Sequence, residues 1–164
     1  MRKGLAIITG ADGGMGTEIT RAVALAGYSV VMACYNAEKA EVKRKLLIEE
    51  TGNADIMVMS IDLSSLASVN AFACRMLERG DRLDLLMNNA GTMETGFHIT
   101  EDGLERTVSV NYVGHYLLTR KLLPLMGKGS RILNMVSCTY AIGKLDFLIF
   151  HKGEEGQLLA DSCI

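Results

Sequence analysis

The stretch that decides the fold is LAIITGADGGMG, residues 5–16. It begins with a continuous apolar run from Leu5 to Ile8 and continues into a turn that contains four glycines. Such a run predicts a strand covered on both faces, and glycines permit a sharp turn from the strand into a helix. Without Cβ atoms the turn also lets a pyrophosphate approach the N–H groups at the helix start. The stretch therefore predicts a strand–turn–helix unit that binds a dinucleotide; the alternative is a glycine-rich turn without a ligand.

Four more short apolar runs follow along the chain, and they predict strands at Tyr28 to Cys34, Asp55 to Ile61, Leu83 to Met87 and Arg131 to Val136. The segments between them have helical periodicity and are long enough for crossover helices. Parallel strands with right-handed crossovers are therefore the simplest topology. The sequence predicts an α/β fold: a doubly wound, Rossmann-like parallel sheet of five strands with crossover helices.

The apolar positions predict which face of each helix is buried. The second helix would use Val42 and Leu46, and the third would use Leu66, Val69, Ala73 and Met76. A longer helix is predicted over Leu104 to Met126, kinked or ended by Pro124, with Gly127 and Gly129 turning the chain into the fifth strand. The domain is expected to span residues 1–144, followed by an irregular C-terminal tail over 145–164.

Composition and charge argue against several classes of protein. The 164 residues carry 17 Lys and Arg against 19 Asp and Glu, a formal charge of -2, so there is no large basic field for nucleic acid. No apolar run is long enough for a membrane span, and the first one stops at Thr9-Gly10, too early for a signal peptide. The four cysteines lack zinc spacing. A cytoplasmic protein without a metal site is expected, with reduced thiols.

The glycine turn has the spacing Thr-Gly-x-x-x-Gly-x-Gly, which resembles the fingerprint of the short-chain dehydrogenase/reductase family. Four further motifs follow in that family's order. They are Asp62-Leu63 at the end of the third strand, Asn88-Asn89-Ala90-Gly91 after the fourth, Asn111 in the long helix and Ser137 at the end of the fifth strand. The segments Met32-Ala33-Cys34 and Gly143-Lys144-Leu145-Asp146-Phe147 resemble the retinol-dehydrogenase-like members.

The resemblance implies an NAD(P)-dependent oxidoreductase that transfers hydride between a nicotinamide and a small carbonyl or alcohol substrate. It implies two catalytic residues, Ser137 and Asn111, whose alternative interpretations are a strand-end hydroxyl and a helix-kink amide. The implied cofactor-binding residues are Gly10, Asp12, Gly13, Gly14, Met15, Gly16, Tyr35, Asn36, Asp62, Leu63, Asn89, Ala90 and Gly91. In the family the long helix commonly helps to form a dimer interface, so a homo-oligomer is also implied.

The end of the second strand bears on the choice of cofactor. NAD-binding sites usually carry an acid there for the ribose 2′-OH. In this chain the segment is Ala33-Cys34-Tyr35-Asn36, with no acid before Glu38 and no Arg where an NADP-preferring relative is expected to carry one, at Tyr35. The absence of the repulsive carboxylate favours NADP(H).

The family's Tyr-x-x-x-Lys element, in which Lys lowers the pKa of the proton-transferring Tyr, has no clear counterpart. Tyr140 and Lys144 match the letters, but Tyr140 comes only three residues after Ser137, which leaves little room for the chain to turn back as a helix. We interpret this match as a coincidence, with a relocated pair as the alternative. The family's catalytic helix and last two strands also lack counterparts, so the chain looks truncated. A catalytically incompetent nucleotide-binding module is therefore the alternative function, and an unliganded remnant is a third hypothesis.

Overall fold

The computed structural model describes residues 3–138. Within them five strands form one parallel sheet in the order β3-β2-β1-β4-β5, which confirms the predicted doubly wound α/β fold. The elements are β1 (Leu5–Thr9), α1 (Gly14–Leu25), β2 (Ser29–Cys34), α2 (Ala37–Thr51), β3 (Ile56–Ser60), α3 (Leu66–Arg79), β4 (Leu83–Asn88), α4 (Arg106–Val108), α5 (Gly114–Leu122) and β5 (Met126–Asn134).

The two central strands are buried along their whole length. Every residue of β1 and of β2 is buried, as the continuous apolar runs predict for strands with helices on both sides. Alternate side chains of β1 enter two different cores, because successive side chains of a strand point to opposite faces. Ile7 packs with residues of α3 and α5, whereas Ile8 packs with residues of α1 and α2.

Two of the helices that flank the sheet, α2 and α3, begin and end at recognisable capping residues. Asn36 accepts a hydrogen bond from the Lys39 N–H at 2.9 Å and caps α2, and Ser65 caps α3 in the same way. Both helices end at a glycine in the left-handed region, Gly52 with φ 68° and Gly80 with φ 65°. These glycines define where α2 and α3 end.

The buried face of α3 agrees with the prediction, but that of α2 does not. Val69, Ala73 and Met76 of α3 are buried. In α2 the predicted residues Val42 and Leu46 are 62% and 48% exposed, and the buried residues are Ala40 and Leu47. The helix is polar on most of its surface, so a few apolar positions were insufficient to identify its inner face.

The predicted long helix is interrupted. It begins at Arg106 rather than Leu104, because the Glu105 carboxylate accepts the N–H groups of Thr107 and Val108 as a cap. A π-helical segment at Ser109–Val113 separates α4 from α5, and a 3₁₀ turn at Leu123–Leu125 contains Pro124. The helix therefore ends before Met126, which already belongs to β5.

The fifth strand begins earlier than predicted, at Met126 rather than Arg131, and it ends at Asn134 rather than Val136. Its pairing with β4 shifts between Leu83↔Met126 and Leu85↔Arg131, so several residues of β5 have no partner in register. Gly127 and Gly129 lie in this bulge, where Gly129 has φ 90°. The two glycines therefore lie in the irregular first part of β5 instead of forming a turn before the strand.

No helix within residues 3–138 is long and apolar enough to cross a membrane. The predicted domain boundary at residue 144 and the tail over 145–164 lie outside the described residues.

Replacing Phe72 with Ala tests the packing of α3 on the sheet. Phe72 is fully buried in the core between β1, β4 and α5. The large cavity should lower the free energy of unfolding by about 3–5 kcal/mol, measured by urea denaturation. Leu77→Ala, on the same helix with Leu77 37% exposed, is the control and should cost clearly less. Equal losses for both variants would contradict the packing.

Candidate cofactor and active site

A cleft of about 1340 Å³ lies at the carboxyl ends of the strands. β1 lies between β2 and β4, so the connection after β1 runs toward β2 while the connection after β4 runs toward β5, and a crevice opens between them at this edge. Apart from Asn36, every predicted site residue lines the cleft. These residues are Gly10, Asp12, Gly13, Gly14, Met15, Gly16, Tyr35, Asp62, Leu63, Asn89, Ala90, Gly91, Asn111 and Ser137.

The glycine turn joins β1 directly to α1, and its glycines have different local surroundings. Gly10 has φ 61°, and a Cβ there would come within 2.9 Å of the Ala90 Cα in the turn after β4. A Cβ on Gly16 would overlap the Gly10 carbonyl oxygen, whereas a Cβ on Gly14 would meet nothing within 4 Å. Gly10 and Gly16 are therefore required by packing, while Gly14 leaves space open at the cleft.

The start of α1 has the properties of an anion site. The helix begins at Gly14, no side chain caps it, and its first turn contains no acidic residue. Its first N–H groups lack partners within the helix, and the helix dipole makes this end positive. Because Gly14, Met15 and Gly16 line the cleft, this end is available to a phosphate group.

Thr9 connects the turns that follow β1 and β4. Its side chain is completely buried, and its hydroxyl oxygen accepts the N–H groups of Asn89 at 2.9 Å and Ala90 at 3.0 Å. In return the Asn89 side-chain amide donates to the Thr9 carbonyl oxygen at 2.9 Å. These hydrogen bonds hold the two turns together, and the Asn89 side chain serves to position backbone. We call this set of bonds the Thr9 clasp.

His115 reaches the same hydroxyl from the long helix. Its Nε2 lies 2.8 Å from the Thr9 Oγ1, and its Nδ1 lies 3.3 Å from the carbonyl oxygen of Asn111. The ring is 6% exposed, so it is packed inside the protein, and it also lines the cleft. Burial lowers the pKa of His115, and the Asn111 carbonyl partly opposes this shift.

Asn111 lies in the π-helical segment, and both ends of its side-chain amide contact the chain after β4. The Oδ1 accepts the Thr92 N–H at 2.8 Å, and the Nδ2 donates to the Thr92 carbonyl oxygen at 2.9 Å. The side chain therefore holds the segment that follows the Asn-Asn-Ala-Gly motif. Asn111 thus joins the π-helical segment to the chain after β4, at a position that lines the cleft.

Ser137 lies beyond the end of β5, and it is exposed at the border of the cleft. Tyr140 and Lys144, the candidates for a relocated acid–base pair, lie outside the described residues.

The residues at the ends of β2 and β3 have separate roles. Tyr35 is 69% exposed and lines the cleft, whereas Asn36 caps α2 and does not line it. The family resemblance predicts that Asn36 binds cofactor, and in the structure its side-chain oxygen accepts the Lys39 N–H at the start of α2. The Asp62 carboxylate accepts both the N–H and the hydroxyl of Ser64, at 2.8 Å and 2.6 Å, which fixes the turn after β3.

Beneath the glycine turn lies the buried thiol of Cys34. Burial and the adjacent Asp12 carboxylate raise the pKa of Cys34 to about 12, so the thiol stays protonated at neutral pH. Cys74 and Cys138 are exposed free thiols. Within residues 3–138 no cluster of three or more His, Cys, Asp or Glu side chains could hold a metal ion.

A polar cluster that the sequence analysis missed lies between β4, β5 and α5. The Asn88 side-chain amide donates to the Thr119 hydroxyl at 3.1 Å and to the Asn134 Oδ1 at 2.7 Å. All three residues line the cleft. Neither Asn134 nor Thr119 belongs to a recognised motif, and only the fold brings them to Asn88.

The parallel sheet, the uncapped helix and the cleft at the strand ends define a dinucleotide-binding α/β protein of Rossmann type. The family model for short chain dehydrogenases matches residues 4–146. The chain therefore belongs to the short-chain dehydrogenase family, which confirms the resemblance seen in the sequence.

Known relatives support the family and the fold. Human retinol dehydrogenase 13 is 38% identical over 143 residues, which are 86% of this chain and 43% of that protein. A crystal structure of an uncharacterised protein from Mycobacterium paratuberculosis matches with a TM-score of 0.77 at 30% identity, over 88% of this chain and 50% of the other. A metagenomic short-chain oxidoreductase in complex with NADP matches with a TM-score of 0.65 at 28% identity, over 76% and 57%. The chain spans less than half the length of the curated relative.

Replacing Gly16 and Gly14 separately with Ala tests the packing of the turn. In Gly16→Ala the new methyl group collides with the Gly10 carbonyl. The free energy of unfolding should therefore fall by about 1–3 kcal/mol or more. In Gly14→Ala the methyl group meets open space, and Ala favours a helix, so stability should stay within about 1 kcal/mol of the wild type. Thermal and urea unfolding measure both. A Gly16→Ala variant as stable as the wild type would contradict the geometry.

Proposed function

We propose that the cleft binds a nicotinamide dinucleotide and that the chain carries the cofactor half of an NAD(P)-dependent oxidoreductase site. The main observation behind this proposal is the start of α1, which no side chain caps. At this start Gly14 leaves open space at the cleft. An anion is the ligand that such a helix start favours. The crevice at the diverging crossovers is also where dinucleotides bind in sheets of this class.

The lining residues divide into groups that fit the parts of such a ligand. The N–H groups of Gly14 to Gly16 would receive the diphosphate, and Asp62-Leu63 would border the adenosine side. The segment Asn89 to Gly91, with Asn111 and Ser137, would border the nicotinamide side. When bound, the cofactor supplies or accepts the hydride. The Ser137 hydroxyl would hydrogen-bond the reacting oxygen of a carbonyl or alcohol substrate, and Asn111 would hold the neighbouring chain in place.

We favour NADP(H) as the cofactor. The chain after β2 presents Tyr35 at the cleft, and no carboxylate stands there to bind a ribose 2′-OH or to repel a 2′-phosphate. The Asp12 carboxylate belongs to the turn before α1 and interacts with the Cys34 thiol. The NADP complex of the metagenomic short-chain oxidoreductase supports the same choice by similarity.

For the substrate we propose a small carbonyl or alcohol compound of the lipophilic, retinoid type. This proposal rests on the similarity to retinol dehydrogenase 13, of which the chain matches 43%.

The second candidate function is a nucleotide-binding module without turnover. It is favoured by the spacing of Tyr140, only three residues after Ser137, which is shorter than the family's spacing. General acid–base assistance is worth about 10²–10⁴ in rate, so a chain that lacks it would bind cofactor and react poorly.

Cofactor titration followed by fluorescence tests the proposed site. The wild type should bind NADPH more tightly than NADH. Gly14→Ala should weaken the binding of both about tenfold or more, because its methyl group occupies the space that the diphosphate needs. The unchanged stability expected for this variant separates loss of the ligand from loss of the fold. Absence of binding at millimolar NADPH would contradict the proposal.

An aldehyde-reduction assay with NADPH separates the two functions. The oxidoreductase predicts turnover that falls by about 10²-fold or more in Ser137→Ala, with cofactor affinity unchanged. Tight cofactor binding without measurable turnover would instead establish the binding module. Activity that survives Tyr140→Phe would exclude Tyr140 as the proton donor.

A further inference from the structure

We propose that His115 is a positioning residue whose neutral ring completes the Thr9 clasp, so that protonation of His115 loosens the cofactor site. The consequence for the cofactor rests on the proposed function, whereas the consequence for the clasp does not. It follows from the hydrogen bonds around one buried hydroxyl group, that of Thr9.

The Thr9 hydroxyl has one proton to donate and two lone pairs that can accept. Both lone pairs are used, since the N–H groups of Asn89 and Ala90 donate to the oxygen at 2.9 and 3.0 Å. The proton is therefore all that remains for the His115 Nε2 at 2.8 Å. Nε2 must accept this proton, and a ring that accepts there is neutral with its own proton on Nδ1.

The other ring nitrogen fits this tautomer. Nδ1 lies 3.3 Å from the Asn111 carbonyl oxygen, which can only accept. The ring thus connects the π-helical segment at Asn111 to the turns that follow β1 and β4. Its neutral form satisfies every group along this path.

The protonated ring does not fit. It would carry an N–H on Nε2, directed at an oxygen whose lone pairs are both occupied by backbone N–H groups. One of those two N–H groups must then lose its partner. The Thr9 proton would also need a new acceptor, and the nearest is the Met87 carbonyl oxygen at 3.4 Å, a long contact. A buried N–H group without a partner is costly, so protonation works against the clasp.

The surroundings offer the charged ring little compensation. β1 contains no titratable residue, and on β4 the Asp84 carboxylate is engaged by the Leu5 N–H and by Arg82. Burial and the Asn111 carbonyl account for the pKa shift of His115, and no charged group contributes to it. Besides His115, the titratable groups of the cleft are Asp12, Tyr35, Asp62, Glu94, Arg106, Tyr112 and Tyr116, and those of α3 are Cys74, Arg75, Glu78 and Arg79.

The sign of the pH effect follows from the lowered pKa. The folded chain binds a proton at His115 less readily than the unfolded chain does, so this contribution to stability is fully present above pH of about 6.5. It is lost as the pH falls below that value. The clasp should therefore be closed at pH 8 and should open at acidic pH.

Hydrogen exchange and NMR of the wild type test the clasp without any cofactor. At pH 8 the ¹⁵N shifts of His115 should show the Nδ1–H tautomer. Between pH 8 and pH 5 the Asn89 and Ala90 amides should exchange about fivefold faster or more, after correction for intrinsic rates, while amides of the central strand β2 keep their protection. A Nε2–H tautomer at pH 8, or equal loss of protection throughout the sheet, would overturn the proposal.

Variants connect the clasp to the cofactor. The wild-type dissociation constant for NADPH should rise about fivefold to tenfold between pH 8 and pH 5. His115→Gln, which accepts the Thr9 proton but cannot titrate, should remove most of this rise. His98→Gln, with His98 exposed outside the cleft, is the matched control and should retain it. Thr9→Ser should behave as the wild type and Thr9→Val should bind weakly at both pH values.

The outcomes separate this proposal from the proposed function. If the Asn89 and Ala90 amides lose protection on acidification but NADPH does not bind at pH 8, the clasp stands and the cofactor function fails. If NADPH binds at pH 8 and His115→Gln shows the same pH dependence as the wild type, the cofactor function stands and the role of His115 is overturned.

Discussion

The contact on which the rest of the site depends is the approach of the turn after β1 to the turn after β4. The Thr9 hydroxyl receives two backbone N–H groups from the second turn, and Gly10 comes so close to Ala90 that a side chain on Gly10 is excluded. This contact fixes the turn after β1 against the turn after β4, and both turns line the cleft. A threonine and a glycine therefore set the geometry of the site.

The sheet and its flanking helices form most of the rest of the site. Because β1 lies between β2 and β4, the crossovers diverge and leave a cleft at the carboxyl ends of the strands. The start of α1 provides positive charge from backbone alone, in a chain whose formal charge is -2. Side chains such as Asn89 and Asn111 mainly hold backbone segments against one another. Catalytic groups of the Ser137 type would then act on a framework that is already positioned.

The sequence predicted the parts of the structure that follow from local pattern. Continuous apolar runs located the strands, and the glycine spacing located the cleft. The prediction failed where contacts between distant segments determine the structure. The polar helix α2 buries Ala40 and Leu47 rather than Val42 and Leu46. The glycines at 127 and 129 lie in a bulge that depends on the pairing of β5 with β4. The capping role of Asn36 was not predicted, because the sequence alone does not show where α2 begins. His115 and Asn134 had no motif, since their partners are far away in sequence.

The most direct test of the central claim is an NMR titration of the ¹⁵N-labelled chain with NADPH. If the diphosphate rests on the start of α1, the amide resonances of Gly14, Met15 and Gly16 should show the largest shifts, ahead of those at the far ends of the strands. Shifts confined to other surfaces, with these three amides unchanged at saturating NADPH, would contradict a dinucleotide site at this turn.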